Sequence, residues 1–120
     1  MYDHIGLRVS DIDASVSFYG AALAALGYAQ CSRDQASASF GPQGEPALWL
    51  HNAKGSAAGG THIAFRAADR DSVDRFHSQG LASGGSDNGG PGLRTEYSPT
   101  YYAAFLLDPD GNNIEAVCMR

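Results

Sequence analysis

Apolar and polar positions alternate at two places in the chain in nearly the same words. In DHIGLRVSD, residues 3–11, Ile5, Leu7 and Val9 alternate with His4, Gly6 and Arg8. In THIAFRAAD, residues 61–69, Ile63, Phe65 and Ala67 alternate with His62, Ala64 and Arg66. Successive side chains of a strand point to opposite faces. Each segment therefore predicts a strand with one apolar face for a core and a second face carrying His, a small residue and Arg. The period then lengthens. In SDIDASVSFYGAALAALG, apolar residues fall at Ile12, Val16, Tyr19, Leu23 and Leu26, the three-and-four spacing of a helix face. Ser10 or Asp11 caps its start and Gly27 ends it. In ADRDSVDRFHSQG, a shorter stripe of Val73, Phe76 and Leu81 predicts a second helix, capped by Asp69 and stopped at Gly80.

Shorter strands follow each helix. The first set spans residues 28–33, 36–40 and 47–51, separated by turn residues such as GPQGEP. The second set is YYAAFLL and NNIEAVC, joined by DPDG, which has Pro and Gly where a tight turn wants them. Residues 82–100, rich in Gly, Ser and Asn, predict one weak strand and a long loop. NAKGSAAGG, residues 52–60, reads as a flexible linker.

Sliding the chain by 58 residues places His4 on His62, Ile5 on Ile63, Arg8 on Arg66, Asp11 on Asp69, Asp13 on Asp71, Phe18 on Phe76 and Leu23 on Leu81. Two copies at this period are too few and too long for a solenoid. They predict a single domain, residues 1–120, of two βαβββ halves about a pseudo-twofold axis: module one 1–51, linker 52–60, module two 61–120. The fold class is α+β.

Composition narrows the partners. The chain carries 13 acidic against 8 basic residues, a net charge of −5, so no basic face for nucleic acid or an anionic membrane is expected. No apolar run reaches the roughly 20 residues that span a bilayer, and MYDHIG has neither the basic nor the apolar region of a signal peptide. Cys31 and Cys118 form no CxxC and are read as buried thiols; a cytoplasmic location is the expectation. No GxxxxGK loop, GxSxG elbow or strand-linked GxGxxG is present.

The stretches DHIGLRVSDIDASVSFYGAALAALGY, THIAFRAAD and DPDGNNIEAV resemble the vicinal oxygen chelate superfamily, which includes glyoxalase I, bleomycin- and fosfomycin-resistance proteins and extradiol dioxygenases. The resemblance covers nearly the whole chain. It implies paired βαβββ modules curling open sheets into a cup, a homodimer, and a metal held by His4, His62 and Glu115. Glu115 doubles as base. A fourth ligand in glyoxalase I falls here on Trp49, or on Leu48 one residue away, and neither binds metal. The resemblance therefore implies an enzyme of lyase, isomerase or dioxygenase type, and disfavours lactoylglutathione lyase activity, which divides its proton transfer between two carboxylates.

The chemistry of two imidazoles and a carboxylate suits Fe, Mn, Ni or Zn and leaves positions open for a substrate that chelates through adjacent oxygens. The alternative is a metal-free pocket in which both imidazoles are hydrogen-bonded and Glu115 pairs with Arg8 or Arg66. That pocket would serve a binding protein of the bleomycin-resistance kind, or a scaffold or sensor module. Trp49, Arg94, Tyr97, Tyr101 and Tyr102 are the candidate substrate contacts: a stacking ring, a cation for a carboxylate or phosphate, and three hydroxyls. His51 is a weaker candidate for acid–base work. A site within one chain and a site shared between two chains both satisfy this pattern.

Overall fold

The computed structural model describes residues 1–54 and 59–120, so the middle of the expected linker lies outside the described residues. The first module contains β1 (Ile5–Val9), α1 (Ile12–Ala24), β2 (Ala29–Arg33), β3 (Ser37–Gly41) and β4 (Leu48–Asn52). The second contains β5 (His62–Arg66), α2 (Arg70–Ala82), β6 (Ser86–Leu93), β7 (Tyr102–Leu107) and β8 (Asn113–Cys118). The α+β class and the repeated βαβββ order follow the hydrophobic pattern. The strands form two open mixed sheets, ordered β1-β4-β3-β2 and β5-β8-β7-β6, in which β1–β4 and β5–β8 are parallel and the other pairs antiparallel.

Each helix starts where its cap predicts. The Asp11 carboxylate accepts from the backbone N–H groups of Asp13 and Ala14, and Asp69 accepts from that of Ser72. The ends differ from expectation in α2, which continues through Gly80 to Ala82. A Cβ at Gly80 would lie 2.3 Å from Leu106 Cδ1 and 3.3 Å from the Phe18 ring. The glycine is there for close approach between α2, α1 and β7, and the helix stops at Ser83–Gly84, where Gly84 has φ +102°. Leu81, expected on the apolar stripe, is exposed, while Val73, Phe76 and Gly80 are buried.

β6 is also longer than expected. Eight residues, SDNGGPGL, pair with β7 through two register shifts, so a glycine-rich segment that reads as loop is a bulged edge strand. Cys118 is buried on β8, but Cys31 is only half-buried on the edge strand β2.

The helices join the modules. α1 rests on the apolar face of the first sheet, α2 on that of the second, and the helices pack on each other. Leu7, Val9, Phe40 and Leu50 thus share one core with Val73, Phe76, Leu106 and Ile114. The buried Tyr19 hydroxyl donates to Asp108 Oδ2 at 2.5 Å, and Asp108 also accepts from Asn112 Nδ2 at 2.9 Å. The Ser10 hydroxyl and backbone N–H both donate to Asp110. The DPDG turn is therefore a clasp between modules as well as a reversal. With the apolar faces spent on this core, the polar faces of both sheets turn away from the helices.

Candidate functional site

The polar face of the second sheet gathers five of the predicted residues. Register places Glu115 of β8 beside Ala64 on β5 and opposite Phe105 on β7. Its side chain is only 3% exposed. A buried carboxylate needs partners that satisfy it. Here Oε2 accepts from the Tyr101 hydroxyl, and Oε1 lies 3.1 Å from His62 Nε2. Burial, together with the hydrogen bond to Glu115, pushes the Tyr101 phenol up to about 12. The phenol therefore stays protonated and donating across the neutral range.

His62 is half exposed, and its Nδ1 sits 2.9 Å from the Asn113 carbonyl oxygen. A carbonyl only accepts, so Nδ1 carries the hydrogen and a neutral ring presents its lone pair at Nε2. That lone pair faces a carboxylate oxygen. Two acceptors meeting at this distance need a proton or a cation between them. An imidazole pinned through its other nitrogen to a backbone carbonyl is also the usual arrangement of a metal-bound histidine. The pair thus fits a divalent ion of the Fe, Mn, Ni or Zn kind as two of its ligands.

Around this pair the Phe105 ring stacks on His62 at 6.4 Å, and the Arg94 guanidinium carbon lies 5.4 Å from the centre of Phe105. Tyr97 meets Tyr101 edge-on at 5.0 Å. Phe105 was not singled out from the sequence. Alternation along YYAAFLL, starting from Tyr101, puts Ala103 and Phe105 on the same face and is the signal that finds it.

The remaining predicted residues lie elsewhere. Tyr102 points to the helix side, where its hydroxyl donates to Asp74 at 2.7 Å and Arg70 covers its ring. Trp49 lies on the polar face of the first sheet and stacks on His51, with rings 10° from parallel. It is in register with Gly6, as Glu115 is with Ala64, so the indole holds the position equivalent to the carboxylate. His4 is exposed and bonded through Nδ1 to Asp3 at 2.7 Å. It borders an apolar cavity of about 310 Å³, lined by Leu23, Tyr28, Phe40 and Phe65 among others, which includes neither His62 nor Glu115. Among the described residues no three His, Cys, Asp or Glu side chains converge. Glu115 pairs with His62 and Tyr101, where the metal-free alternative expected Arg8 or Arg66.

The family model of the Glyoxalase/Bleomycin resistance protein/Dioxygenase superfamily matches residues 2–116. A glyoxalase/bleomycin resistance protein from Albidiferax ferrireducens T118 superposes with a TM-score of 0.84 at 29% identity, covering 98% of this chain and 97% of its own. A glyoxalase-related enzyme from Fulvimarina pelagi gives 0.73 at 20% identity, covering 98% and 86%. A lactoylglutathione lyase from Agrobacterium tumefaciens gives 0.71 at 20% identity, covering 98% and 92%. At 20% identity these last two speak to the fold alone. No curated protein matches the sequence. No helix among the described residues is long and apolar enough to cross a membrane. Matched by the family model over nearly its entire length, the chain belongs to the glyoxalase/bleomycin resistance/dioxygenase superfamily, whose members act on small molecules and commonly bind divalent metals.

Proposed function

We propose that the protein is a divalent-metal-dependent enzyme, a lyase, isomerase or dioxygenase, whose small substrate offers two adjacent oxygens to the metal. His62 and Glu115 hold the ion, and His4 of a second copy of the chain completes the centre. The observation that carries the reading is the buried Glu115 carboxylate 3.1 Å from His62 Nε2, with His62 Nδ1 held at the Asn113 carbonyl. The homodimer is inferred from the outward turn of both polar faces. Among the described residues His4 does not converge with His62 and Glu115 within one chain, and a second copy would bring its first sheet to that face.

A divalent ion bound there would supply Lewis acidity toward the substrate oxygens. Tyr101 fixes Glu115 through Oε2, leaving Oε1 facing His62 Nε2 as the oxygen that would ligate the ion. Glu115 is also the candidate base for a proton beside the substrate oxygens. Phe105 and the His62 ring form one wall and limit water on that side. Because Trp49 holds the equivalent place in the first module, no second carboxylate shares the proton, and the lactoylglutathione reaction is the disfavoured member of the set.

Metal analysis of the purified protein tests this. One transition metal per site is expected, lost in both His62→Ala and Glu115→Ala. Mixing His4→Ala chains with Glu115→Ala chains should restore part of the metal content, since one shared site then keeps all three ligands. Protein that takes up no metal, or Glu115→Ala protein that keeps it, overturns the proposal. A metal-free binder of flat ligands is the second reading, favoured by the Trp49–His51 stack; quenching of Trp49 fluorescence by an aromatic ligand without metal would support it.

A further inference from the structure

Arg94 lies across the glycine-rich strand β6, on the same face as Glu115 and one aromatic ring away from His62. Its position is fixed through the backbone: its N–H donates to the Tyr101 carbonyl at 2.7 Å, and its own carbonyl accepts from Tyr97 N–H at 3.0 Å. The guanidinium occupies space that side chains on β6 would fill. A Cβ at Gly92 would stand 3.2 Å from Nη1, and one at Gly89 would stand 3.2 Å from Nη2 and 3.1 Å from the Phe105 ring. One donor, on Nη2, is spent on the Gly90 carbonyl at 2.7 Å. A guanidinium has five donors, and among the described residues no carboxylate pairs with this one. Arg33, by contrast, pairs with Asp13.

A half-buried, pre-positioned guanidinium with a vacant edge is a receptor for an oxyanion. Its planar fork matches a carboxylate with two parallel hydrogen bonds. We propose that Arg94 forms an anion subsite next to the metal centre, so that the substrate is a small oxygen chelate that also carries a carboxylate. The proposal rests on the functional reading above. It adds a substrate class and a specificity-determining residue. Phe105 links the two subsites, with the Arg94 guanidinium over its ring and His62 stacked beside it.

The test is calorimetric titration of the Zn²⁺-loaded full-length protein with 3,4-dihydroxybenzoate and with catechol, which share the chelating oxygens and differ in the carboxylate. The acid should bind roughly 10–100-fold more tightly, the range of a charge-assisted contact. The advantage should vanish in Arg94→Gln. It should also fall in Gly92→Ala, which keeps the charge but crowds Nη1 at a backbone conformation alanine tolerates. Arg94→Lys, with charge but no fork, should keep part of it. Thermal melting checks the fold, and if Arg94→Gln does not fold, the other two variants decide. Equal affinities in the parent protein, or an undiminished advantage in the variants that fold, overturns the subsite while leaving the metal centre standing. If the protein takes up no Zn²⁺, the metal reading fails by itself. The subsite is then judged on benzoate against benzyl alcohol: an Arg94-dependent preference for the acid supports it, and no preference overturns it.

Discussion

β1 and β5 present the same polar face, His4, Gly6 and Arg8 against His62, Ala64 and Arg66, yet the strands beside them differ. Gly6 is matched by Trp49 on β4, and Ala64 by Glu115 on β8. In the second module the result is a buried carboxylate held by Tyr101 and facing an imidazole. In the first it is an indole stacked on His51. One residue at an equivalent place therefore separates a carboxylate–imidazole face from an aromatic one. A duplicated scaffold supplies two walls of the same shape, and the strand that closes each wall decides its chemistry.

The largest effect expected from breaking this asymmetry is on metal binding. Glu115→Ala should lower metal affinity by more than the roughly 10–100-fold that loss of an outer-shell partner costs, whereas Trp49→Ala, at the equivalent place, should leave it unchanged. Titration with Zn²⁺ reads both. Tyr101→Phe, which removes only the partner of Oε2, should fall within that 10–100-fold range.

The helices give a second comparison. Ala22 of α1 and Gly80 of α2 are equivalent in the repeat, and a Cβ at Gly80 would collide with Leu106. Gly80→Ala should destabilise by about 1–3 kcal/mol through overpacking, despite alanine's better helix propensity, as urea unfolding would show. Ala22→Gly should cost about 1–2 kcal/mol, from propensity and from the loss of a buried methyl against α2.

The clasp between modules sets a pH dependence. Burial first, then the Asp108 carboxylate, raises the Tyr19 phenol well above its ordinary value. The unfolded chain ionises this group near pH 10, while the folded chain keeps it neutral. Its contribution to stability is thus complete below pH 10 and is lost as pH rises beyond it. Tyr19→Phe should cost about 1–3 kcal/mol at neutral pH by leaving Asp108 short of a donor, and should flatten the alkaline decline measured by unfolding at pH 8 and pH 11. The smallest effect sharpens the capping comparison: Asp11→Ala should cost about 1 kcal/mol by releasing two N–H groups of α1.

Much of this was legible in the order of residues. Period-two and three-to-four spacing gave the strands and helices, because those periods are set by backbone geometry within a few residues. Asp11 and Asp69 announced the helix starts for the same local reason. Gly80 misled because its purpose is contact with Leu106 and Phe18, which are distant in sequence. β6, expected only as a weak strand, ran longer because a glycine-rich edge strand has no side-chain pattern that marks its ends. Tyr101 and Tyr102 were indistinguishable as neighbouring aromatics, and only the pleat sends one to Glu115 and the other to Asp74.

The sequence by itself determined the duplicated α+β scaffold and the ligand types on offer, since both rest on local periodicity and on the identity of side chains. Only the tertiary structure decided which of those side chains meet. Packing α1 against α2 spends the apolar faces on a shared core and turns the two polar faces outward, so His62, Glu115 and Tyr101 come together while His4 stands apart. Convergence depends on sheet register and module docking, which are properties of the folded chain as a whole.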